Sequence, residues 1–147
     1  MTTTPSRVLA LSVWALTAAF AVHPAAAQSE KKMHVDMTAA QEVPPNESKG
    51  TGAADFTYNT ATKEITWSVS TSTLSANAVA AHIHGPAAPG SNAGVVVNLA
   101  PNGMTNPLKG SATLTDAQAA DLLAGKDYVN VHTATHPGGE IRGQISP

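Results

Sequence analysis

"AADFTYNTATKEITWSVS", residues 53–70, carries the clearest structural signal in the chain. Its apolar residues recur at every second position. Ala54, Phe56 and Tyr58 share one face of the first half; Ile65, Trp67 and Val69 share one face of the second. A period of two marks a strand buried on one side and wet on the other. Between the halves stands "NTAT", where Asn59 can supply turn geometry through its side chain. The segment predicts a β-hairpin.

The same period runs outward from it. "MHVDM" (33–37) sets Met33, Val35 and Met37 against His34 and Asp36. "NAVAAHIH" (77–84) turns Val79, Ala81 and Ile83 inward. "GVVVNL" (94–99) reads as a short, fully apolar strand, and "KGSATL" (109–114) as an edge strand. "DYVNVHT" (127–133) aligns Val129 and Val131; "GEIRGQI" (139–145) aligns Ile141 and Ile145 with Gly143 between. One segment breaks the period. "TDAQAADLLAGK" (115–126) carries Thr115 and Gln118 at capping-box spacing, Asp116 in the first turn and Gly125 at the exit. It predicts a short helix with Leu122 and Leu123 inward. Seven or eight strands and one short helix predict an all-β, antiparallel Greek-key β-sandwich.

The N-terminus has a different character. Arg7, the apolar run from Val8 to Val22 and Ala25-Ala26-Ala27 form a secretory signal pattern over residues 1–27. The run is short for a membrane span, which takes ~20 residues. Cleavage after Ala27 leaves one domain over residues 28–147, exported to a periplasm or beyond and without a membrane span. The competing reading is an uncleaved anchor.

The chain has no cysteine, so neither disulfides nor thiolate ligands are available. Its net charge of −2, with only 12% charged residues, excludes a basic nucleic-acid footprint. No Ser/His/Asp arrangement, phosphate-binding glycine loop or HExxH motif is present, and paired carboxylates for hydrolysis are not evident.

Histidine carries the remaining chemistry. His82 and His84 point outward from "AHIH", and His132 points outward from "YVNVHT". If those strands are neighbours, the imidazoles converge. His136 follows in "HTATHPGG", where a bend can swing it over the same face, and Gly85-Pro86 begins a loop able to roof the site. Imidazole without thiolate suits copper, with zinc as the alternative. His34 is a further candidate ligand. Glu140 and Arg142 share the outward parity of the last strand. Glu140 can support a ligand histidine and Arg142 can guide an anion; the plainer reading is a surface Glu–Arg pair or a link to Glu42. Outward histidines are also often merely solvated.

"QEVPP" (41–45), "AAHIHGPA" (80–87) and "YVNVHTATHPGGEIRGQI" (128–145) together resemble the CHRD domain, first named in chordin. The resemblance spans roughly Met33 to Ile145. It implies an immunoglobulin-like β domain of exported proteins, without an assigned catalytic mechanism. The family tail usually carries an Asn-like residue where this chain has His136. A looser similarity of pattern is to copper-containing superoxide dismutases, which also combine a Greek-key sandwich, an H-x-H strand, a later His and a late Arg. It implies His82, His84 and His132 as copper ligands and Arg142 as anion guide. The dismutases' zinc-loop ligands and disulfide cysteines have no counterpart here. Three functions follow as expectations: an exported copper-binding or copper-handling domain, a dismutase-type copper enzyme, or a structural or protein-interaction domain without metal.

Overall fold

The structure is a computed structural model that describes residues 29–147. The expected leader and its cleavage point lie outside the described residues. Eight strands are present: β1 (Glu30–Thr38), β2 (Thr51–Asn59), β3 (Glu64–Ser72), β4 (Ala78–His84), β5 (Val95–Asn98), β6 (Leu108–Thr113), β7 (Tyr128–Thr133) and β8 (Ile141–Gln144). One α-helix, α1 (Asp116–Leu123), joins β6 to β7, and a 3-10 turn, Ala39–Gln41, follows β1.

The hairpin of residues 53–70 forms as its pattern requires. Phe56 pairs with Trp67, Tyr58 with Ile65 and Ala54 with Val69, so the apolar residues of β2 and β3 lie on one face. At the turn, Asn59 Oδ1 accepts hydrogen bonds from the amides of Ala61 and Thr62, at 2.9 and 3.0 Å. This is the side-chain turn that asparagine favours.

The strands hydrogen-bond antiparallel in the order β5-β4-β7-β8-β1-β2-β3-β6. After the meander β1-β2-β3, the chain crosses to β4 and β5. It then returns to place β6 beside β3, and crosses again to place β7 beside β4. A strand that returns past its sequence neighbours in this way makes a Greek key. Inward residues from all eight strands meet in one core, so the sheet curls over itself into a sandwich nearly closed as a barrel. β8 and β1 form the seam, paired only through Thr38 and Arg142.

Two inward assignments, those of Val79 and Leu123, are corrected. Val79 is 59% exposed: the register between β4 and β7 shifts between Ala78 and Ala80, and the bulge reverses its direction. The apolar run at 94–99 is not buried throughout. Val97 and Leu99 are inside while Val95, of the same parity, faces solvent, because the register between β4 and β5 shifts between Ile83 and His84. Leu123 is also exposed; Ala119 and Leu122, three residues apart, make the inner face of α1. The capping box is present, with the Thr115 and Gln118 side chains each bonding the other's amide.

Candidate metal centre

β4 and β7 are antiparallel neighbours, with His82 opposite Asn130 and Ala80 opposite His132. Parity turns His82, His84 and His132 to the outer face, where all three are half-buried. One ligand atom from each lies within 4.8 Å of the others. His82 Nδ1 stands 3.1 Å from His132 Nε2. Two nitrogens bound to one ion at about 2.0 Å are roughly 2.8–3.3 Å apart for angles between square and tetrahedral. The observed gap suits a shared ion.

The second nitrogens fix the tautomers. His84 Nδ1 lies 3.1 Å from the carbonyl of Ala93, and His132 Nδ1 lies 3.0 Å from that of Pro137. A carbonyl only accepts, so each Nδ1 donates and each Nε2 is left unprotonated, that of His132 facing His82 Nδ1. His84 Nε2 is buried and, among the described residues, has no hydrogen-bond partner. Burial, and then the neighbouring His132, push the pKa of His82 down; burial also pushes that of His84 down. Both effects favour the neutral form that ligates a metal.

A stack holds His84 in place. Its ring lies parallel to that of Tyr128, 5.0 Å between centroids and 6° between planes. The Arg142 guanidinium sits 3.4 Å from the Tyr128 ring centre. Arg142 also donates to Ser91 O at 2.7 Å and to Asn92 Oδ1 at 3.0 Å, and so ties down the loop after β4. That loop carries Ala93, whose amide bonds the Tyr128 hydroxyl. The loop beginning at Gly85-Pro86 therefore covers Tyr128 and Arg142 and orients His84. Tyr128 shares the outward parity of Asn130 and His132. That parity was the available signal for it, but a strand tyrosine reads by default as core.

Glu140 and Arg142 are corrected from surface residues to buried ones, 0% and 2% exposed. They sit on the outer face, but loops cover that face. Glu140 Oε1 accepts from Ser48 Oγ and Ser75 N, at 2.6 and 2.7 Å; Oε2 accepts from Ser75 Oγ and Thr133 Oγ1, at 2.8 and 2.6 Å. Burial pushes its pKa up, but the hydrogen bonds from Ser48, Thr133 and Ser75 outweigh burial and hold it at about 2. It ties together three chain segments and supports none of the three clustered histidines.

The structure does not bring His136 or His34 into the cluster. His136 Nδ1 is turned toward Ser75 Oγ at 3.2 Å and Glu140 Oε2 at 3.5 Å. His34 lies on β1, with Nδ1 2.6 Å from Asp55 Oδ1 and Nε2 3.5 Å from Asp36 Oδ1. The hydrogen bond to Asp55 raises its pKa and favours the protonated form.

The domain is thus an all-β Greek key with three imidazoles gathered on the outer face of neighbouring strands. The chain belongs to the CHRD domain family, whose family model matches residues 33–145. No curated protein and no solved structure matches it. Among the described residues, no helix is long and apolar enough to cross a membrane.

Proposed function

We propose that the protein is an exported copper-binding domain, with His82, His84 and His132 as ligands. One observation carries this reading: the lone pair of His84 Nε2 is buried without a partner, beside two further imidazoles within ligand distance. A buried acceptor with no donor costs on the order of 1–3 kcal/mol. A cation at the centre of the three nitrogens satisfies it. Copper is preferred over zinc because divalent copper binds nitrogen ligands more tightly. The signal-like leader supports a location in a periplasm or outside the cell, where the domain would bind or handle the ion.

Copper-loaded protein is expected to show an EPR spectrum with nitrogen couplings, and His84→Ala is expected to lose it. A wild-type spectrum identical to that of copper in buffer overturns the reading. A dismutase-type activity draws support from the coordination position that three protein ligands leave open. Arg142 weakens it, since the guanidinium is held by Ser91, Asn92 and the Tyr128 ring and makes no hydrogen bond to the three histidines. Superoxide consumption by the loaded protein no faster than by buffer removes the enzymatic reading and leaves binding in place.

A further inference from the structure

The outer face carries a second cluster that the histidines do not use. The "QEVPP" segment folds over β8 and meets the loop after β4, with Asn92 Nδ2 donating to Val43 O at 2.8 Å. Between them lies a cleft of about 360 Å³. Val43, Pro45 and Pro89 give it apolar walls, while Glu42, Arg142 and Gln144 line its polar side. Apolar walls with a few convergent polar groups are the usual composition of a small-molecule site.

Each polar group lacks something. Arg142 is 2% exposed, yet among the described residues it has no carboxylate within ion-pair distance. Buried charges are ordinarily paired. Glu42 is buried and accepts from Asn130 Nδ2 at 2.5 Å. Burial pushes its pKa up to about 7 in spite of Arg142, the charged side chain that acts on it. Below that value it therefore holds a proton that it can donate. Gln144 Nε2 donates to the carbonyls of Ala87 and Gly125, both at 3.0 Å. Two acceptors on one side fix the amide orientation, and its Oε1 is left buried with no donor.

The complement of a cation without an anion, an acid proton and an acceptor without a donor is specific. We infer that this cleft binds a small hydroxycarboxylate. The carboxylate faces Arg142 and Glu42, the hydroxyl donates to Gln144 Oε1, and the short hydrocarbon lies on Val43, Pro45 and Pro89. One guanidinium matches one carboxylate, and the apolar walls disfavour a bare inorganic anion. The inference does not depend on metal at the histidines.

The test is a titration of isotope-labelled, metal-free protein with 3-hydroxybutyrate, with butyrate and butylamine as comparisons. It follows the side-chain amides of Asn130 and Gln144 and the Nε–H of Arg142 by NMR. The hydroxy acid is expected to shift these signals saturably, butyrate to bind about tenfold more weakly, and butylamine to shift none. Affinity for the hydroxy acid is expected to fall as pH rises through the Glu42 transition, and Glu42→Gln to abolish that pH dependence. No saturable shift with the hydroxy acid, an equal response to butyrate, or stronger binding of the amine each overturns the proposal. Because no metal is present, the result stands apart from that of the copper experiment.

Discussion

His84 Nε2 is a nitrogen lone pair placed where water does not reach it, and its consequences are felt at the scale of one residue. His82 and His84 resist protonation because burial disfavours the charged ring. In the unfolded chain they take up protons near the ordinary value of 6.5. In the folded chain they do so only at lower pH. Metal-free protein therefore loses stability as pH falls through 6.5 toward the folded values. Bound copper is expected to persist to lower pH than on an exposed histidine peptide, as read by EPR across a pH series. His84→Ala is expected to weaken copper binding about 100-fold or more, since even groups behind a ligand contribute 10–100-fold.

Glu140 works in the same direction by the opposite chemistry. Its folded pKa of about 2 lies below the ordinary 4.5, so it stabilises the fold above that value and loses the contribution as pH falls toward 2. The contribution is on the order of 3 kcal/mol at neutral pH. Glu140→Gln is expected to lower stability by that order at pH 7 and by little at pH 2, measured by urea unfolding at each pH. The sequence placed Glu140 on the outer parity correctly. It did not disclose that Ser48 and Ser75, distant in the chain, close over the carboxylate.

At the scale of elements, local signals were read well where the element supplies its own partners. The β2–β3 hairpin and the capping box of α1 use residues within a few positions of one another. Thr115→Ala is expected to cost about 1 kcal/mol, seen as a lowered unfolding midpoint. Just after that helix, Asp127 is 2% exposed and its Oδ1 has no partner. Burial, and then Asp121, raise its pKa to about 6. Its charge therefore costs stability as pH rises from the ordinary 3.8 through about 6. Asp127→Asn is expected to stabilise the protein by on the order of 1–3 kcal/mol at pH 8 and to be neutral at pH 3; thermal melts at the two values test this. Val79 shows where element-level reading ends. Strict alternation turns it inward, but the bulge opposite β7 is set by a partner about fifty residues away.

The whole molecule depends on a close approach at the β8–β1 seam. A Cβ on Gly143 would strike Val35 Cγ1 and stand 2.6 Å from Asp36 O, which is backbone and cannot swing aside. Gly143→Ala is expected to cost about 3 kcal/mol in urea unfolding. Because β8 also carries Arg142, loss of the seam is expected to loosen the Tyr128–His84 stack as well.

From the sequence alone came the alternation of inward and outward residues, the helix with its cap, the family resemblance and the outward parity of His82, His84 and His132. These depend on neighbours two to four positions away, where chain geometry is nearly invariant. The pairing of β4 with β7, the exclusion of His136 and the burial of Glu140 and Arg142 were decided by the tertiary structure. So was the cleft beneath "QEVPP". Each rests on segments remote in the chain meeting across the outer face, and alternation records which face a side chain takes without recording what covers it.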